Sequence, residues 1–199
     1  QGLLCVNGLI MLVAQAEMTS NLFLKKTPQP NSVGDIAQSV AKRTQNIALI
    51  GMPGSGKSTV AQILAKKLRR PLSDIDSLIE KAAGKSIPKI FSEDGEGVFR
   101  QLETRVLGEE SKKTGLVIAT GGGVVINPNN VDLLRQNSLI VYLRRELDDL
   151  TLTERPLSQS IGVKAIAYQR LPLYESWKDC VVDVEAEPEL TVAKILEVI

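Results

Sequence analysis

Short apolar runs alternate with longer stretches in which apolar residues recur every three or four positions, from about residue 46 to the end of the chain. Runs at 46–51, 71–74, 116–119, 138–143 and 180–185 have the length and composition of strands. Between and after them, helical spacing predicts helices over 57–69, 76–82, 86–113, 128–136, a short one near 146–151, 162–178 and 188–198. Strands that are apolar throughout and separated by helices cannot leave a face in water, so the pattern predicts an α/β fold: a five-stranded parallel sheet with helices on both faces. In such a sheet ligands collect at the C-terminal ends of the strands.

Ahead of this unit, Ile10, Val13, Ala14 and Met18 fall at helical spacing and predict a helix over 9–24. Residues 25–45 are polar, with Pro28 and Pro30, and read as a linker holding at most one short helix. The expected organisation is therefore 1–24, a linker at 25–45, and a globular unit at 46–199. No internal repeat is visible.

Composition narrows the chemistry. The 199 residues suffice for one core of about 150 residues and some extra chain. Net charge is +1, from 24 basic and 23 acidic residues, and the charges are mixed, which argues against nucleic-acid and membrane-surface partners. Cys5 and Cys180 lie too far apart for a zinc motif or a disulfide framework, which suits the cytoplasm. There is no histidine, so imidazole bases and histidine-ligated metals are excluded. Catalysis must run on Asp, Glu, Lys, Arg and backbone groups. The apolar run 3–14 followed by Ala14-Gln15-Ala16 has some features of a secretory signal, but it lacks a basic flank, is interrupted by Asn7 and Gly8, and is too short to span a bilayer.

Gly51-Met52-Pro53-Gly54-Ser55-Gly56-Lys57-Ser58 completes the phosphate-binding pattern G-x-x-x-x-G-K-[ST], with Thr59 following, between an apolar strand and an amphipathic helix. Glycines let successive N–H groups converge on phosphate oxygens, Lys57 adds positive charge, and the Ser58 hydroxyl suits a Mg2+ shell. The helix dipole then points at the anion.

Further candidates follow other strands. Asp74 and Asp76 stand two apart after the second strand, and on extended backbone would share a face, one suited to Mg2+ and the other to an acceptor hydroxyl. Helix capping by Asp76 or Ser73 is the competing reading. Thr120-Gly121-Gly122-Gly123 follows the third strand and suits close backbone approach to a ligand. Arg100 and Glu103 could be a surface ion pair, and Arg170 precedes Leu171-Pro172-Leu173-Tyr174; two arginines over one cleft could instead bind a carboxylate. Arg155, in a polar stretch, is either a solvated charge or a lid residue closing over phosphates.

In this order, the motifs resemble the shikimate kinases over about residues 46–199. The resemblance rests on GMPGSGKST, Asp74 and Asp76, the run Ile90-Phe91 to Glu96 with Phe99-Arg100 and Glu103, ATGGG at 119–123, Arg155-Pro156-Leu157, and Arg170-Leu-Pro-Leu-Tyr174. It implies a P-loop, nucleoside-monophosphate-kinase-like fold with a lid, and ATP-dependent phosphorylation of the shikimate 3-hydroxyl with Mg2+. By that resemblance Lys57, Asp76 and Arg155 are catalytic. Gly51 to Thr59 and Arg155 bind ATP, while Ser58 and Asp74 hold the metal. Asp76, Arg100, Gly121, Gly122, Gly123 and Arg170 bind the acceptor. About twelve residues separate Leu143 from Arg155, so the lid should be short. Gluconate-type P-loop kinases and a non-catalytic nucleotide-binding module are the alternatives.

Residues 7–16 resemble the last helix of the shikimate dehydrogenases, in which Gln15 would match a shikimate-contacting glutamine. That implies a kinase domain, monomeric in itself, fused to or cut from a dehydrogenase domain.

Overall fold

A computed structural model of the chain describes residues 8–25, 27, 32–146 and 163–199. The described residues form two compact units, 1–44 and 45–199. The first holds helices α1 (Leu9–Leu24) and α2 (Ser32–Thr44), linked by a hydrogen bond from the Ser32 hydroxyl to the Glu17 carboxylate. Within the expected linker, α2 is thus a full 13-residue helix. Its apolar residues are too few to announce it. Its charges help instead, with Asp35 in the first turn and Lys42 and Arg43 in the last, each favourable to the helix dipole.

The second unit contains strands β1 (Asn46–Ile50), β2 (Leu72–Asp74), β3 (Val117–Ala119), β4 (Ser138–Arg144) and β5 (Cys180–Asp183). All pair in parallel, in the order β2-β3-β1-β4-β5. This is the expected five-stranded parallel sheet. Its helices are α3 (Lys57–Leu68), α4 (Ile75–Ala83), α5 (Ile87–Glu93), α6 (Gly95–Ser111), α7 (Asn129–Arg135), α8 (Val163–Trp177) and α9 (Pro188–Val198).

Strand alternation divides the core in two. Ile47 and Leu49 of β1 face one way and pack with Val60, Leu64, Val192 and Ile195 from α3 and α9. Ala48 and Ile50 face the other way and pack with Ile79, Ile90, Leu107, Leu134 and Tyr174 from α4 to α8. Both faces are therefore covered, and β1 is buried at all five positions.

One expected helix is two. The periodic stretch 86–113 breaks between α5 and α6, where Gly95 takes φ +86, a conformation open to glycine and costly for other residues. Lys85 clamps this corner, its Nζ 3.0 Å from Glu93 and 2.9 Å from Asp94. The break lets α6 run back over the sheet with Phe99, Glu103, Val106 and Leu107 buried.

The register places the chemistry. Leu49 is level with Ala119 and Val141, and Asp74 is level with Ala119. Gly51, Asp74 and Thr120 therefore leave the sheet along one edge, as expected for a ligand-binding edge. The expected short helix near 146–151, beyond its first residue, and the lid residues Arg155, Pro156 and Leu157 lie outside the described residues.

Candidate active site

The phosphate loop starts where β1 ends. Gly51, Gly54 and Gly56 have φ of +151, +78 and +86, and a β-carbon on Gly51 would lie 2.6 Å from the Leu143 carbonyl oxygen. A side chain there would collide with the end of β4, so the first glycine is required by packing. Met52, Pro53 and Ser55 are buried, whereas Ser58 and Thr59 are exposed on the first turn of α3. Lys57, 5% exposed, folds across the loop and donates to the carbonyls of Gly51 at 2.9 Å and Met52 at 2.8 Å. Its ammonium therefore lies in the bowl of the loop, where the pattern places the phosphates.

Asp74 and Asp76 do not share an extended face. Asp74 ends β2 and caps α4, its Oδ1 accepting from Ser77 N at 3.0 Å, and Asp76 lies in the first turn of that helix. The reason is that α4 begins at Ile75, immediately after a three-residue strand. The cap occupies one Asp74 oxygen, and it is Asp74, not Asp76 or Ser73, that serves as the cap. An exposed hydroxyl and a carboxylate are hard oxygen donors, so Ser58 and Asp74 fit the coordination preferences of Mg2+.

The triple glycine draws three elements together. A β-carbon on Gly121 would lie 2.8 Å from both Asp76 Oδ1 and Glu103 Oε1. One on Gly122 would lie 2.7 Å from the Pro53 ring, and one on Gly123 would overlap the Arg100 guanidinium. Each glycine thus makes room for a different group: the aspartate of α4, the phosphate loop, and the arginine of α6. Any side chain here would displace a site residue.

Arg100 and Glu103 are not the surface pair their spacing suggested. Glu103 is 0% exposed and accepts from Arg100 NH1 at 2.8 Å, while Arg100 also reaches Glu96 at 3.0 Å. Burial pushes the Glu103 carboxyl above its ordinary range, and the Arg100 charge only partly offsets this. Its Oε1 is buried without a hydrogen-bond partner among the described residues. A helical charge pair reads as solvated from its spacing alone; the signal for burial is the apolar neighbours Phe99, Val106 and Leu107 on one side of α6.

Arg170 arrives from α8. It is 5% exposed, and its NH1 donates to the Gly122 carbonyl at 3.1 Å while its buried Nε finds no partner among the described residues. Burial, and then the nearby Arg100 charge, push its guanidinium below the ordinary range. Two guanidiniums at one glycine turn, with an unserved buried donor on Arg170, suit an anion, and bidentate geometry favours a carboxylate. Of the residues read from the sequence, Asp76, Arg100, Gly121 to Gly123 and Arg170 therefore converge beside the phosphate loop at Pro53. Arg155 lies outside the described residues.

Comparison with known proteins gives the family. The family model described as Shikimate kinase matches residues 53–199. The chain belongs to the shikimate kinase family. A shikimate kinase of Synechococcus elongatus is 41% identical over 165 residues, covering 77% of this chain and 86% of its own length. One from Caldicellulosiruptor bescii is 39% identical over 169 residues, covering 77% of this chain and 95% of its own length. Among solved structures, shikimate kinase from Acinetobacter baumannii in complex with shikimate superimposes with a TM-score of 0.75. That structure is 33% identical and covers 80% of this chain and 95% of the other. Among the described residues, the Glu103 carboxylate and the Tyr174 hydroxyl also lie at the glycine backbone, and neither has a role assigned from the sequence.

The raised Glu103 pKa has a checkable consequence. A carboxyl whose folded-state pKa lies above its unfolded value adds stability below the unfolded pKa, and that contribution is lost as pH rises through the folded value. Glu103→Gln, which does not titrate, should therefore gain stability relative to the unmodified protein as pH rises from about 4 upward. Urea unfolding of both proteins at pH 4.5 and 7.5 measures this. A stability difference independent of pH would show that burial does not raise Glu103.

Proposed function

We propose that this chain transfers the γ-phosphoryl group of ATP to the 3-hydroxyl of shikimate, in the biosynthetic route to chorismate and the aromatic amino acids. The observation that carries this reading is the convergence on Gly121 to Gly123 of a carboxylate, two guanidiniums and the phosphate loop. The loop amides and Lys57 hold the donor phosphates. Arg100 and Arg170 take the acceptor carboxylate, and Gly121 to Gly123 give it close backbone approach. Asp76 receives the hydroxyl proton as that oxygen attacks the γ-phosphorus and the bond to the β,γ-bridging oxygen breaks, releasing ADP, and Arg155 closes over the phosphates. Ser58 and Asp74 would hold Mg2+, which when bound neutralises phosphate charge. Phosphoryl transfer of this kind demands alignment and charge neutralisation, which these residues supply without an imidazole.

Steady-state assay of the purified chain with Mg-ATP against shikimate, gluconate and other small hydroxy acids tests the assignment. The expected result is a kcat/KM for shikimate at least 100-fold above any competitor, because a site built to pair a carboxylate and hydroxyls leaves them unsatisfied with a wrong acceptor. Equal use of gluconate would favour the gluconate-type alternative, and nucleotide binding without transfer would favour a non-catalytic module.

We further infer a cytoplasmic location and a monomeric kinase domain covering 46–199, the latter read by light scattering. The thiol of Cys180 is free, which suits a reducing compartment; a secreted, oxidised chain on fractionation would refute it. Residues 1–24 are proposed to belong with a shikimate dehydrogenase-like domain. In support, α1 exposes Met11, Met18, Leu22 and Phe23 to 61%, 66%, 79% and 84%, as expected of a helix whose partner surface lies elsewhere. A coding frame upstream of residue 1 without a dehydrogenase would contradict it.

A further inference from the structure

The Gly122 carbonyl has two donors. One is Arg170 NH1 and the other is the Tyr174 hydroxyl, buried completely on the same helix. Residues 170 and 174 are four apart, so α8 presents both on one face and aims them at one oxygen. A carbonyl oxygen has two lone pairs, so this pair of donors satisfies it fully. The Tyr174 ring is itself fixed, stacked on Tyr142 of β4 with centroids 5.3 Å apart and planes at 19°. On its other side the Gly122 backbone meets Pro53 of the phosphate loop. The peptide is held from two directions. Because it is trans, as every peptide bond among the described residues is, holding the carbonyl also fixes the direction of the Gly123 N–H.

We propose that Tyr174 is a positioning residue for the acceptor site: by sharing the Gly122 carbonyl with Arg170, its hydroxyl sets the place of the Arg170 guanidinium and of the glycine backbone. This rests on shikimate being the acceptor and on Arg170 contacting its carboxylate. A hydroxyl that merely fills the core would need a partner too, but its loss would lower stability without selecting one substrate. Tyr174 instead acts through Arg170, the residue proposed to take the acceptor carboxylate. Its removal leaves Arg170 NH1 as the single donor to Gly122 and frees the guanidinium to shift.

The test is Tyr174→Phe, with Tyr142→Phe as a control that removes a hydroxyl from the same stack away from Gly122. Tyr174→Phe should raise the shikimate KM about ten-fold, with kcat and the ATP KM within two-fold of the unmodified protein. Tyr142→Phe should leave all three unchanged. In an Arg170→Lys background the effect of Tyr174→Phe should fall below two-fold, since the two act as a unit. A shikimate KM within two-fold of the original, parallel rises in both KM values, or an undiminished effect beside Arg170→Lys would overturn the proposal. Failure of the unmodified chain to phosphorylate shikimate would instead overturn the acceptor assignment beneath it. Should Tyr174→Phe not fold, the unmodified protein labelled with 15N-glycine decides. Shikimate should shift the Gly123 amide resonance, and an unmoved Gly123 signal at saturation would count against the proposal.

Discussion

Asp76→Asn is expected to reduce kcat for shikimate phosphorylation by about 10³-fold while nucleotide affinity stays within two-fold. The magnitude is that of a positioned base, roughly 10²–10⁴. The substitution is clean for a structural reason: Asp74, not Asp76, caps α4, so the helix keeps its N-terminus when Asp76 is neutralised. Nor does the change alter volume beside Gly121, where space is short. Fluorescence titration with ADP and initial rates at saturating substrate separate the two effects. Unchanged turnover would remove Asp76 from the role of base and leave it a hydrogen-bond acceptor for substrate.

Lys57→Met should lower kcat/KM by roughly 10²–10³-fold, the scale for losing one preorganised charge at a developing transition state. Methionine keeps most of the aliphatic stem, so burial is retained. What disappears is an ammonium bonded to the carbonyls of Gly51 and Met52 and 3.4 Å from the Ser55 hydroxyl. Losing these bonds should also cost stability, on the order of 1–3 kcal/mol where a buried acceptor is left unserved. Thermal unfolding and single-turnover transfer, measured together, tell strut from catalyst. A lowered Tm with intact transfer would mean that Lys57 only braces the loop.

Much of the architecture was legible because its signals are local. Ile47 to Ile50 form an apolar run with a glycine-rich stop, and strand alternation does divide it between two helix layers. The break between α5 and α6 was not legible, since apolar spacing continues across it and only Gly95 marks it. Likewise α2 was hidden by polarity. At the site, residue types were legible but surroundings were not. Arg100 and Glu103 have the spacing of a solvated pair, and nothing within α6 says that the triple glycine of a distant loop closes over them. The cap on α4 was misassigned for a related reason: whether a carboxylate sits at the end of a strand or the first turn of a helix depends on one residue of register. Apart from the motif they share, Arg170 and Tyr174 show nothing locally of what they touch; both reach one carbonyl 48 and 52 residues away.

The strand order has a consequence for how acceptor choice could be altered. Apart from Arg155, the residues proposed to meet the donor lie in one short stretch, 51–59, whereas Asp76, Arg100 and Gly121 to Gly123, proposed for the acceptor, come from the neighbouring stretch 74–123 on the β2-β3 side of the sheet. A segment exchange at that side would carry over most of a relative's acceptor preference and leave the donor loop in place. It would fail, however, unless α8 travelled with it. The transplanted glycine turn would otherwise arrive without the helix that grips it, so recombination between relatives with different acceptors must move two separate pieces of chain at once.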